Sequence, residues 1–108
     1  RVGALAAAMG RALGLPSPRL ERLALAAYLH DLGKLGLPTA LLRAPTPLTL
    51  PQWQLMVCHP YEGGRLLGGT PLAFAVTVAE QHHERLNGSG YPAGLRGEAV
   101  TLESQLVG

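Results

Sequence analysis

The stretch Leu20-Glu21-Arg22-Leu23-Ala24-Leu25-Ala26-Ala27-Tyr28-Leu29-His30-Asp31 decides the fold. Its Leu20, Leu23, Ala24 and Ala27 recur at three- and four-residue spacing, the period of one helical face. Carried on by one turn, the same stripe lands on His30 and Asp31. Two polar side chains are thus aimed inward, where each is costly without a partner. Asp31 is the only aspartate of the chain and Lys34, three residues on, the only lysine; every other acid is Glu and every other base Arg. A short carboxylate suits metal ligation, and a compact ammonium suits a phosphate oxygen.

Outward from this helix the same grammar continues. Ser17 is expected to cap it, with Pro18 at its first position. A first helix runs from Val2 to about Leu13 and stops at Gly14, with Pro16 behind it. On the other side Gly33, Gly36 and Pro38 end the helix, and a turn-like segment covers residues 39–43. Thr49-Leu50-Pro51-Gln52 reads as a capping box that opens a third long helix. That helix is expected to break at His59-Pro60, since the residue before a proline avoids helical geometry, and to resume from Pro60 to about Leu67. Thr70-Pro71 opens another, whose stripe of Leu72, Ala75, Val76 and Ala79 extends onto His82, His83 and Leu86. Residues 88–97 are too rich in Gly and Pro for helix, and Thr101 caps a last one. The 47% of hydrophobic residues are chiefly Leu and Ala, which favours helix over sheet, and the class expected is all-α.

At 108 residues the chain is one domain with core enough to fold without staples. Its net charge of +2 and its scattered arginines give no footprint for duplex DNA, while a small anionic ligand remains compatible. The single cysteine, Cys58, permits no internal disulfide and reads as a small buried hydrophobe. Apolar runs of about eight residues fall far short of a membrane span. The start, which is not Met, resembles an amphipathic helix, and the chain reads as a piece of something longer.

All four histidines, at 30, 59, 82 and 83, fall in or between two polar motifs. His59 alone would pass as a satisfied core residue. The pair His82-His83 is harder to explain away: adjacent residues differ by roughly 100° around a helix axis, so both face one centre only from the middle of a wide inward stripe. Two imidazoles there repel if protonated, and a divalent cation resolves this by holding both neutral. Four imidazoles and a carboxylate without thiolates suit iron, manganese, nickel or zinc, and a carboxylate can bridge two ions. Lys34 reaches either a phosphate oxygen at the rim of such a site or the C-terminal dipole of its own helix. The loop Asn87-Gly88-Ser89-Gly90-Tyr91-Pro92 is either a plain turn after the histidines or a rigid rim with one aromatic face.

HDLGKLGLP at 30–38, HPYEGGRLL at 59–67 and HHERLNGSGYPAGL at 82–95, in this order, resemble the HD-GYP family of the HD metal-dependent phosphohydrolases. The resemblance implies an HD-domain-like helical bundle that hydrolyses cyclic di-GMP to linear pGpG, GMP or both at a centre of two or three divalent ions. His30, Asp31, His59, His82 and His83 match metal ligands, with Asp31 the bridge. Lys34 matches the lysine that contacts the phosphate. Gly90, Tyr91 and Pro92 match the signature loop, which borders the substrate pocket and is implicated in contacts with diguanylate cyclase domains. Asn87 stands where the family usually has Asp and Leu86 where an aromatic is common, neither being a ligand. A ligand His upstream of Arg1 and a ligand Asp beyond Gly108 complete the family's set, so these 108 residues are expected to be inactive alone. The chemistry expected is in-line attack on phosphorus by a hydroxide generated at the metals, with Asp31 and Lys34 as the catalytic residues. A sensory or receiver domain before the chain and a cytoplasmic, bacterial setting are further implications. The alternatives are an HD phosphohydrolase for another nucleotide and a silent domain that binds cyclase partners.

Overall fold

A computed structural model describes residues 2–108. Helices α1 (Val2–Ala12) and α2 (Ser17–Leu29) open the chain, and a 3-10 turn, Leu32–Gly36, follows the second. Short α3 (Thr39–Leu42) and α4 (Leu50–Met56) lead to α5 (His59–Leu67). A 3-10 turn over Ala73–Ala75 runs into α6 (Val76–Gln81), and after a long loop and a third 3-10 turn, Gly97–Ala99, α7 (Leu102–Val107) ends the chain. Among the described residues the only β pairing is an isolated bridge between Asn87 and Arg96, so the all-α expectation holds. No helix among them is long and apolar enough to cross a membrane.

Small side chains set the packing. Gly3 lies against the Ala24 carbonyl and Gly10 against Leu20 and Leu23, so α1 and α2 run antiparallel at close range. The core gathers Ala6 of α1, Leu23, Ala26 and Ala27 of α2, Leu67 of α5, Ala75, Val78 and Ala79, and Val107 of α7. Each buried Leu or Val contributes about 1.5–3 kcal/mol. The buried edge of α2 is Leu23-Ala26-Ala27, with Leu20 and Ala24 half-buried towards α1; prolonged, it reaches His30 as the stripe implied.

Four local expectations need correction. Ser17 is not the cap of α2: Pro16 holds that place in extended geometry, and no side chain accepts from the first turn. The break after α4 falls at Val57-Cys58, before His59, because Pro60 is comfortable inside the first turn of α5, where its missing N–H is one the helix leaves unpaired anyway. α6 stops at Gln81, so His83 and Leu86 lie past its end, and Leu86 is 53% exposed instead of continuing an inward face. Cys58 is exposed, its thiol donating to the Gln54 carbonyl at 3.3 Å. The capping box of Thr49 and Gln52 and the cap of Thr101 are formed as expected.

Candidate metal centre

α2 ends at Leu29, so His30 is its C-cap and Asp31 begins the 3-10 turn. That turn is pressed against the start of α5. A Cβ on Gly33 would run into the His59 carbonyl and lie 2.6 Å from the Gly63 nitrogen, so only glycine lets the two backbones meet. Gly63 in turn touches Ala79 of α6. This three-way contact brings the ends of α2 and α6 and the start of α5 to one point.

Three imidazoles are aimed there by one device. His30 Nδ1–H donates to the Ala27 carbonyl at 2.5 Å, His59 Nδ1–H to Met56 at 2.7 Å and His82 Nδ1–H to Ala79 at 2.9 Å. Each acceptor lies three residues back, among the carbonyls that the end of a helix leaves without an intrahelical partner. A carbonyl only accepts, so Nδ1 carries the proton in all three rings and Nε2 faces inward. His59 Nε2 and His82 Nε2 are 3.2 Å apart, and each is 3.3 Å from Asp31 Oδ1. His59 and His82 are 1% and 4% exposed. Asp31 Oδ1 is buried and accepts no hydrogen bond.

Ligand atoms of Asp31, His59, His82 and His83 all lie within 4.8 Å of one another. Neutral imidazoles protonated at Nδ1 direct Nε2 lone pairs at each other and at a carboxylate oxygen. Extra protons or a cation must reconcile them, and a divalent ion satisfies all of these donors at once. The residues present therefore fit a divalent metal. His83 supports this: burial and the neighbouring imidazoles His82 and His59 push it down to about 4, so it is neutral and ligand-ready at pH 7. Burial works to raise the Asp31 carboxyl, but the His30 imidazole at its other oxygen lowers it, and it is held far below the usual carboxylate range.

His30 stands beside this group. Its Nε2 meets the other oxygen, Asp31 Oδ2, at 3.2 Å, which raises its pKa, and its ring lies edge-on to His82 with centroids 4.8 Å apart. Lys34 Nζ is 3.3 Å from the same Oδ2, on the half-exposed side of the carboxylate. Tyr91 stacks on the His83 ring, centroids 4.7 Å apart and 15° from parallel, so the signature loop does border the centre. Burial, with the charge of Asp31 adding to it, raises the Tyr91 phenol. Gly90 allows this approach: a Cβ there would clash with the His83 carbonyl and sit 2.6 Å from Glu84 Cα. Pro92 follows, half-buried.

One residue escaped the sequence reading. Glu84 is 7% exposed, and its carboxylate accepts from the Ala93 N–H at 2.7 Å and the Leu95 N–H at 2.9 Å. It ties the far side of the loop back to the histidine pair. The only sign of this was its position, directly after His83 in a segment otherwise assigned to ligands.

A family model for the HD domain matches residues 1–108. The chain is 39% identical over 110 residues to the cyclic di-GMP phosphodiesterase response regulator RpfG of Xanthomonas campestris, covering 99% of this chain and 29% of that protein. It is 40% identical over 107 residues to the cyclic di-GMP phosphodiesterase PA4108 of Pseudomonas aeruginosa, covering 97% and 26%. A 3'3'-cGAMP-specific phosphodiesterase of Vibrio cholerae is 36% identical over 83 residues, covering 76% and 18%. The chain thus spans less than a third of the length of these relatives. Among solved structures, Bd1817, an HDG"Y"P protein of Bdellovibrio bacteriovorus, superposes with a TM-score of 0.83 at 29% identity, over 98% of this chain and 35% of that one. With a helical fold, three backbone-aimed histidines round a single aspartate and a Gly-Tyr-Pro loop against them, the chain belongs to the HD domain family and, within it, to the HD-GYP proteins.

Proposed function

We propose that the protein is a metal-dependent phosphodiesterase that hydrolyses cyclic di-GMP to linear pGpG, GMP or both. The observation that carries this is the convergence of the His59 and His82 Nε2 atoms on the orphaned Asp31 Oδ1, with Lys34 on the open side. His30, Asp31, His59, His82 and His83 would hold two or three divalent ions, with iron or manganese ahead of nickel and zinc for an imidazole and carboxylate set. When bound, such ions polarise the phosphate and supply a nucleophile from water at neutral pH.

The residues of this chain do the rest. Asp31 and the imidazoles present a fixed set of electron pairs, so nothing reorganises when a phosphodiester arrives. Lys34 offers its ammonium to a nonbridging phosphate oxygen, where negative charge grows as the water oxygen bonds to phosphorus and the P–O3' bond breaks. The departing 3'-oxygen ends with a proton from water. Tyr91, stacked on His83, would flank the phosphodiester with the face and edge of its ring. No serine or cysteine nucleophile is required, and Cys58 points away towards Gln54.

The intact protein, purified anaerobically and loaded with ferrous iron or manganese, tests the reading. Cyclic di-GMP should give pGpG or GMP only with metal, and Asp31→Ala should lose both metal and turnover. Intact substrate in the presence of bound metal would overturn it. A second reading, hydrolysis of 3'3'-cGAMP, is favoured by the likeness to the Vibrio cholerae enzyme and is settled by the same chromatography. We further place a receiver or sensory module ahead of this domain, as the response-regulator relative suggests, with diguanylate cyclase domains as partners of the Gly90-Tyr91-Pro92 loop and the cytoplasm as its setting.

A further inference from the structure

Trp53 is the only tryptophan of the chain, and it sits on α4, none of whose residues is buried. An indole left 42% exposed keeps much of its apolar surface in water, which is unusual for the side chain with most to gain from burial. Its place is specific. The Trp53 and Tyr91 rings meet with centroids 5.0 Å apart at 75°, and Tyr91 lies flat on His83. A continuous line of three rings therefore runs from the metal centre out to Trp53. The capping box of Thr49 and Gln52 fixes the start of α4, so the indole is carried on a defined helix and not on a loose loop.

We infer that Trp53 is a specificity-determining residue that stacks on one purine base of the substrate. This rests on the reading of the substrate as a cyclic dinucleotide. In such a molecule each base hangs one ribose away from a phosphodiester. A phosphate held beside Lys34 by ions that Asp31 and the imidazoles would bind thus leaves a base near the rim that Tyr91 and Trp53 form. Stacking uses the π-face that every base has, so Trp53 selects for the large purine surface without telling guanine from adenine. The metal centre itself reads only the phosphate.

The test is steady-state hydrolysis of cyclic di-GMP and 3'3'-cGAMP by the intact, manganese-loaded protein, with metal content measured for each variant. Trp53→Leu keeps apolar bulk but removes the ring, and Trp53→Phe keeps a smaller ring. Removing a stacking partner is expected to raise KM for both dinucleotides about 10-fold in Trp53→Leu with kcat changed less than about 2-fold, and Trp53→Phe should retain most of the affinity. Metal content should not change in either. Unaltered KM in Trp53→Leu at full metal content would overturn the assignment, as would loss of metal, which would make Trp53 a prop for Tyr91 and His83. If the metal-loaded wild type cleaves neither dinucleotide, the substrate reading itself falls, and this assignment with it.

Discussion

At the centre, His59 and His82 are 1% and 4% exposed and each is pinned by a carbonyl of a helix end, whereas at the rim Trp53 is 42% exposed and meets the body of the protein through another ring. The centre is assembled from backbone: Gly33 against the His59 carbonyl, Gly63 against Ala79, imidazoles on orphan carbonyls. At the rim the rings of Trp53, Tyr91 and His83 pack on one another, over a loop that closes at Gly90 and is anchored by the buried Glu84. Chemistry and recognition are thus held by separable means. Substitutions at the centre should abolish metal binding, while those at the rim should leave the metal and change what is done with it.

The largest effect is expected from His82→Ala, which removes a ligand atom and leaves Asp31 Oδ1 facing His59 alone. Metal affinity should fall by at least about 100-fold, read by equilibrium dialysis with elemental analysis, given that even partners outside the ligand set are worth about 10–100-fold. Unchanged metal content would erase the contrast. Next comes Gly33→Ala, whose methyl group has no room beside His59 and Gly63. We expect a loss of about 4 kcal/mol or more in urea unfolding, together with weakened metal binding, because the two backbones must separate.

Glu84→Ala leaves the N–H groups of Ala93 and Leu95 without their acceptor. Each buried orphan costs about 1–3 kcal/mol, reduced here because the loop reaches solvent, so a loss of about 2 kcal/mol is expected with metal content retained. Loss of metal as well would show that the rim is needed to build the centre. The smallest effect concerns pH. The folded pKa of His83 is about 4 against an ordinary 6.5, so the unfolded chain binds this proton more readily. Its contribution to the stability of the metal-free protein is present above about pH 6.5 and is lost as pH falls from there through 4. His83→Asn should flatten that part of the stability profile, and an unaltered slope would show that the ring is not held neutral.

The sequence pattern reached the centre further than the rim. His30 and His82 could be placed because a polar residue prolonging an apolar stripe has nowhere else to point, whereas His59 prolongs no such stripe and Asp31 lies past the end of α2, at the start of the 3-10 turn. The pattern erred where helices end. His83 was read onto the face of α6, but the helix stops at Gln81 and the ring reaches the site from beyond it. Helix ends depend on capping and on what the following loop packs against, and spacing encodes neither. Glu84 meets its partners 9 and 11 positions on, across a loop with no period to read, and Trp53 meets Tyr91 38 positions on, with two helices between them. Nor does any local signal say that Gly33 is backbone-to-backbone with α5; a glycine after a helix reads as a stop.

The carbonyls that orient His30, His59 and His82 have a bearing on how such a domain tolerates change in length. Each imidazole is indexed to its own helix end, three residues back, and not to the other ligands along the chain. Residues inserted between Ala44 and Leu48, or among Gly68 to Leu72, would leave every one of these local registers intact. Insertion of one residue between Ala27 and His30, or between Ala79 and His82, would turn a ring out of the centre. The Pro- and Gly-rich connections are thus the places where the chain can grow or shrink without disturbing the centre, while three short helix ends set its ruler.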